Sequence, residues 1–453
     1  MSSDNASSVK AFERRVAEYS SSRQLLIHGA KYIVALSGGA DSVALTYVLL
    51  AMGVHVECAH CNFHLRGAES DRDEMFCVDL CSKLGVRLHR AHFSTREYAE
   101  AHHVSIEMAA RELRYGWFRS LRKDLGAEAI CVAHHRDDCV ETVLMNLVRG
   151  TGVHGLRGIL PKNDDLIRPM LCVGREDIEN YLAALRQDYV TDSTNLVDDV
   201  VRNKIRLKVL PLLMDINPSL KSTVAEVAEH MTEACRIIDY TLDKAKSEVM
   251  CGGAIDIAKL MTLPSPEYAL FMILKDYGFS SSQSKAVHAA CCRHEAANGK
   301  VWSSDRYDLL IDRGRMVLEA KELSPFKEMV IPETGLYVIR GTESRIKIEQ
   351  LAVDSDFRLI KERFCICVDE SRLQFPLHLR RAVQGDRFVP FGMRNKKLLS
   401  DFLTDKKKNL FEKRRQLVLT SANGDIIWVV GERVDNRVRV DDTTSTVLRI
   451  SLL

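Results

Sequence analysis

The chain has 453 residues, 46% of them hydrophobic and 28% charged, with a formal net charge of only +2. That leaves room for about three domains of roughly 150 residues and marks a globular protein with real cores rather than a general polyanion binder. No run approaches the roughly 18–20 uncharged apolar residues of a membrane span, and the polar start MSSDNASSVKAFERRVAEY lacks the apolar core of a secretory leader, so a cytoplasmic protein with no membrane partner is expected. The 13 cysteines, an odd number scattered through apolar runs, read as reduced thiols, not as a disulfide framework.

Four short β-branched runs come first: YIVAL (32–36), VHVECA (54–59), VRLHRAHF (86–93) and AICVA (129–133). Helix-like stretches lie between and after them at about 42–52, 69–84, 105–124 and 136–149. Alternation of this kind, with continuously apolar strands, predicts a parallel sheet covered on both faces, here an α/β domain over 1–215. Asn217-Pro218 then opens a helix whose apolar face runs through Val224, Val227, Met231, Ala234, Ile238 and Leu242, and a helical domain is expected over 216–300. Short β-rich runs follow, from RMVLEA to VLRISLL. They are read as a β-rich linker region at 301–374 and a small α+β C-terminal domain at 375–453. Residues 380–415 hold twelve Lys/Arg against four Asp/Glu, which predicts a local basic surface.

Chemistry concentrates at the ends of the first strands. In SGGADS, Ser37, Gly38 and Gly39 can turn tightly with backbone N–H groups facing one point, and Asp41-Ser42 begins a helix whose N-terminus adds donors. This makes an anion cradle, but neither a Walker A loop nor a dinucleotide fingerprint. Asp41 beside a phosphate calls for a cation between them, so Mg²⁺ is implied. The alternative is an ordinary strand–turn–helix.

His60, Asn62, His64 and Arg66 stand at the second strand's carboxyl end, where open α/β sheets bind ligands. Cys58 and Cys61 in the same stretch are weighed as a zinc or cluster pair against buried strand-end thiols, and the thiols are favoured. Arg111 and Arg114 share a helix face, as a surface pair or as phosphate contacts. Asp138 and Glu141 share another, as dipole partners or as a cation seat. Arg202, Asn203 and Arg206 cluster within one turn, able to balance a polyphosphate.

SGGADS resembles the pyrophosphate loop of the PP-loop ATP-pyrophosphatase superfamily. Together with HCNFHLRGAESDRDE, ARELRY, HHRDDCVETVLMNLVRGTG, RPML, DSTN, RNKIR and the C-terminal run beginning LRRAVQGDRFVPFGM, it resembles the tRNA(Ile)-lysidine synthase family from about residue 30 to 450. HCNFHLR departs from the shorter form expected there, with an extra cysteine and phenylalanine.

The resemblance implies a PP-loop nucleotide-binding domain and a ligase that joins free L-lysine to the wobble cytidine of a CAU-anticodon tRNA(Ile). ATP is the co-substrate and Mg²⁺ the ion. It implies ATP binding at Ser37, Gly38, Gly39, Ala40, Asp41 and Ser42, with Asp41 also holding the metal. Asp138 and Glu141 would hold lysine, and Arg202 or Arg206 would meet phosphate charge. Arg111, Arg114, Lys396, Lys397, Lys406, Lys407 and Lys408 would contact tRNA. A homodimer is an open option. The nearest rival is a tRNA thiolase, which would need Cys58 and Cys61. Phe388, Phe391 and Phe402 are read as core residues of the small domain in preference to base-stacking ones.

Overall fold

The four runs pair in parallel. They form β1 (Lys31–Ala35), β2 (His55–Asn62), β3 (Leu88–His92) and β4 (Ala129–Cys131). A short hairpin, β5 (Lys162–Asn163) and β6 (Leu166–Ile167), extends the sheet to the order β3-β2-β1-β4-β6-β5. The computed structural model describes residues 3–191, 201–293, 298–322, 326–339, 342–353, 357–358 and 362–453. It divides into two units, 1–239 and 240–453.

In the first unit the helices are α1 (Ser3–Ser22), α2 (Ala40–Ala51), α3 (Ala68–Leu84), α4 (Thr95–His102), α5 (Ile106–Leu125), α6 (Arg136–Arg149) and α7 (Arg175–Leu185). α8 (Val201–Lys204) continues through a π turn at Ile205–Val209 into α9 (Leu210–Ile216). Successive residues of a strand point to opposite faces. Tyr32, Val34 and Leu36 therefore join Leu45, Leu49, Ile178 and Leu182 in one core, while Ile33 packs with Ala59, Phe118 and Ile130 in another. Burial on both faces favours the strand ends for polar work; within β2, the buried Glu57 is held by Lys31 and His89.

The helix predicted from Asn217-Pro218 is α10 (Leu220–Val249), which runs from the first unit into the second. There β7 (Met250–Cys251) and β8 (Ala254–Asp256) come next, followed by α11 (Ile257–Met261), α12 (Pro266–Lys275) and α13 (Ser281–Cys291). β9 (Val301–Ser303), β10 (Tyr307–Asp312) and β11 (Arg315–Ala320) complete a sheet of order β7-β8-β11-β10-β9. The helices cover it through Leu270, Leu274, Val287, Leu309 and Ile311.

The expected linker at 301–374 is not a separate region. Its first strands pair with β8, and the remainder enters two further sheets. β12 (Met329–Ile331), β13 (Gly335–Val338), β14 (Arg345–Ala352) and β15 (Cys365–Asp369) precede β16 (Leu377–Arg381), β17 (Arg387–Phe388) and β18 (Lys397–Leu398). After α14 (Leu399–Asp405) and α15 (Leu410–Arg415) come β19 (Leu417–Thr420), β20 (Ile426–Val429), β21 (Arg433–Val434) and β22 (Thr446–Leu452). The sheet orders are β12-β16-β19-β20-β21 and β13-β14-β22-β15. Pairing across such distances leaves no local trace in the sequence, so 301–374 looked unattached. Among the described residues no helix is long and apolar enough to cross a membrane.

Leu182 on α7 is fully buried beneath the parallel sheet. Leu182→Ala is expected to cost about 2–5 kcal/mol, seen as an earlier urea transition of the first unit.

Candidate active site

The carboxyl ends of β1, β2 and β4 open into one cavity of about 1360 Å³. At its floor β1 passes through Leu36 to the SGGADS loop and α2. Gly38 has φ +89°, and a Cβ there would stand 3.3 Å from the Cys77 Sγ, so the loop needs glycine for both conformation and space. Ser42 ties the turn together. Its hydroxyl accepts from the Ser37 N–H at 3.1 Å and donates to the Gly39 carbonyl at 3.0 Å. From β2, His60 Nδ1 donates to the Leu36 carbonyl at 2.9 Å, and burial lowers the pKa of its ring.

Three carboxylates face this floor. Asp41, in the first turn of α2, accepts from Arg175 Nη1 with both oxygens, at 2.8 and 2.9 Å, and lies 3.8 Å from His135 Nε2. Burial raises its pKa, while His135 and Arg175 pull the other way. Asp138 caps α6 by accepting from the His135 N–H at 3.1 Å; its other oxygen is 3.8 Å from Arg206 Nη2. Glu141, one turn on, is 1% exposed. Arg206 grips it with Nε at 2.6 Å and Nη2 at 3.0 Å. Arg202 approaches it at 3.3 Å and donates to Thr142 Oγ1 at 2.9 Å.

The walls carry more polar groups. His134 lines the wall, and its Nδ1 accepts from Nε of the buried Arg168 at 3.0 Å. Lys221 pairs with Asp137 at 2.6 Å. Arg111 lies over the Tyr115 ring and Arg114 over Phe63, each at 5.1 Å.

Ser37, Asp41, Ser42, Arg111, Arg114, Asp138, Glu141, Arg202 and Arg206 therefore line one cavity, with Gly38, Gly39 and Ala40 forming the turn between. Sequence reasoning missed Arg175, Arg168 and Lys221 and gave His134 and His135 no role. The paired histidines heading HHRDDCVET and the arginine of RPML were the available signals. DSTN, 192–195, lies outside the described residues.

Cys58 and Cys61 point to opposite faces of β2. Cys58 packs with Cys77 and Cys81, Cys61 with the α5 side. Among the described residues no three His, Cys, Asp or Glu form a metal cluster.

The C-terminal basic run, within the second unit, is partly neutralised. Lys397 pairs with Asp405, and Lys408 with Glu432 at 3.1 Å and Glu412 at 3.4 Å. Lys396, Lys406 and Lys407 are exposed. Phe388 and Phe402 pack edge-on inside, 5.1 Å apart, whereas Phe391 is 52% exposed and is not a core residue.

This geometry has counterparts. A PP-loop domain model matches residues 9–213, and a TilS substrate-binding domain model matches residues 252–321. The tRNA(Ile)-lysidine synthase of Bacteroides thetaiotaomicron is 44% identical over 96% of this chain and 98% of its own length. The chain belongs to the tRNA(Ile)-lysidine synthase family. Another tRNA(Ile)-lysidine synthase, from Parabacteroides distasonis, is 46% identical over 95% of this chain and 97% of its own. A solved U34-tRNA thiolase of Methanococcus maripaludis overlaps 51% of this chain and 80% of its own at 17% identity and TM-score 0.43, too loosely to bear on the lysidine synthase assignment.

Gly38→Ala is expected to strain the loop by about 1–2 kcal/mol, lowering Tm by a few degrees, and to weaken ATP binding roughly tenfold, measurable by titration calorimetry.

Proposed function

We propose that this chain ligates free L-lysine to the wobble cytidine of a CAU-anticodon isoleucine tRNA, with ATP split to AMP and pyrophosphate. The observation that carries the reading is the placement of an anion cradle, Ser37 to Ser42, in the same cavity as the carboxylates Asp138 and Glu141. The cradle suits a polyphosphate; the carboxylates suit an ammonium.

Two steps follow. The cytosine O2 attacks the α-phosphorus of ATP and pyrophosphate leaves. The lysine ε-amine, having given up a proton, then adds to C2, and AMP departs with the former O2 and its bonding electrons. Adenylation is needed because oxygen alone leaves poorly. The loop would hold the departing pyrophosphate where charge accumulates.

Asp41 fits Mg²⁺. Its carboxylate lines the cavity beside Ser37 and Ser42 of the loop, and Mg²⁺ commonly takes one or two carboxylates and fills its remaining positions with substrate phosphates and water. Bound there, the ion would spread the negative charge of the phosphates. Arg175 holds Asp41 in the ligand-free arrangement and would yield it to that ion.

Asp138 and Glu141 would orient the lysine ammonium and help remove its proton. Arg206 now occupies the Glu141 oxygens, so it sits where the ammonium would go. Arg202 is the better candidate for phosphate. Its Nε lies 3.3 Å from Glu141 without a well-formed hydrogen bond and would turn to an incoming oxygen. Arg111 and Arg114 at the cavity wall, and the exposed Lys396, Lys406 and Lys407, would meet tRNA backbone; Lys397 and Lys408, held by carboxylates, would contribute less. In this division of labour the residues up to about 215 carry the chemistry, with Arg111 and Arg114 meeting tRNA at the cavity, and the later ones would make the remaining tRNA contacts. A cytoplasmic location follows from that substrate. The thiolase alternative finds no support in Cys58 and Cys61, which face apart.

The test is pyrophosphate release with unmodified tRNA(Ile), with and without lysine, and labelled lysine followed into the wobble cytidine. Label in the tRNA is expected; pyrophosphate release without label would reopen the nucleophile. Asp41→Asn should lower pyrophosphate release at least a hundredfold while sparing tRNA binding. Asp138→Asn should raise the KM for lysine more than tenfold with adenylation retained. Replacing Lys396, Lys406 and Lys407 with Ala should weaken tRNA binding and reduce its log–log salt slope by about 0.7–0.9 per lost contact.

A further inference from the structure

The pairing of His134, on the cavity wall, with the buried Arg168 is not explained by the loop, the metal seat or the ammonium seat. Arg168 is 8% exposed. Its Nη1 donates to the Leu160 carbonyl at 2.7 Å, which fixes the guanidinium, and its Nε donates to His134 Nδ1 at 3.0 Å. A guanidinium has no lone pair to offer. The Nδ1 it touches must therefore be the bare, accepting nitrogen, and the imidazole proton must sit on Nε2. Among the described residues that second nitrogen meets no hydrogen-bond partner, and His134 lines the cavity.

We infer that Arg168 is a positioning residue that locks His134 as the neutral Nε2–H tautomer, so that the ring offers the target cytosine a hydrogen-bond donor at N3. The inference rests on the lysidine-forming reading. When the amine adds to C2, the electron pair of the C2–N3 double bond moves onto N3. A fixed N–H donor there stabilises that charge without transferring a proton. Neutrality matters as well, because an imidazolium beside the carboxylates would repel the incoming ammonium.

The groups around the ring agree. Burial pushes the pKa of His134 down to about 4; Asp138 opposes this, and Arg168, Arg202 and His135 reinforce it. Arg168 itself faces Arg111 and Tyr115 on α5.

The test separates donor from bulk. Gln at 168 places an amide N–H where Arg168 has Nε; Met places a methyl there. In Arg168→Met, lysine transfer is expected to fall about tenfold with pyrophosphate release within threefold of wild type, and to fall further as pH drops toward 6, since the ring then protonates more readily. Arg168→Gln should stay within threefold on both steps. Histidine ¹⁵N NMR of the free proteins, with His134 assigned through His134→Asn, should show Nε2–H in wild type and Arg168→Gln and a mixture in Arg168→Met.

Equal losses in Met and Gln, or a lowered Tm with unchanged transfer, would overturn the inference. So would an Nδ1-protonated ring in a wild type that transfers lysine normally. A wild type that shows the Nε2–H ring yet transfers no lysine would instead sink the functional reading, and the catalytic role with it. Should Arg168→Met not fold, the wild-type NMR decides the tautomer. His134→Asn, which keeps an acceptor for Arg168 but loses the reach, decides the donor by a tenfold loss of transfer or none.

Discussion

Parallel pairing of β1, β2 and β4, with apolar residues on both faces, is the constraint from which the site follows. A strand buried on both sides tolerates a charged side chain along its length only where it is paired, as Lys31 and His89 pair Glu57 on β2. All polar function is pushed to where the chain leaves the sheet. Three chain segments leave it at the same edge, and each does so through a stretch that is polar at once: Ser37 to Ser42, His60 to Arg66, His134 to Glu141. The cavity is the space those exits enclose.

Its electrostatics are a ledger of buried carboxylates and the cations that make burial tolerable. Asp41 has Arg175, Glu141 has Arg206 and Arg202, and Asp137 has Lys221. Removing one partner from such a pair leaves an uncompensated charge in a poor solvent. Under the proposed reading, a metal at Asp41 or an ammonium at Glu141 would have to displace an arginine that already pairs with that carboxylate.

Much of this was legible in the residues. Strand–helix alternation carries the α/β architecture, and the motifs bring the loop, Asp41, Asp138, Glu141, Arg202 and Arg206 to one place. What was not legible depends on partners distant in sequence. Arg175 meets Asp41 across more than a hundred residues, and no local pattern says that an arginine after Val173-Gly174 turns toward a loop near residue 40. The short strands β7 and β8 sit in MCGGAID, too brief for any periodicity to show. The basic run at 380–415 gave its charge correctly but not its availability. Lys397 and Lys408 are already held by acids, Arg380 by Asp386, and Arg415 by Glu319.

The sheet order β13-β14-β22-β15 has a consequence for biosynthesis. β22 lies between two strands made roughly a hundred residues earlier. Until Thr446–Leu452 emerges from the ribosome, β15 has no neighbour in its sheet, and its Cys-Ile-Cys-Val core, buried in the finished fold, is an open apolar edge of the kind that templates aggregation. β14 is better guarded, with Arg345, Lys347 and Glu349 along it. Synthesis therefore passes through an interval in which β15 needs shelter, and a ribosome stalled within that interval would leave an adhesive chain rather than a partly active one.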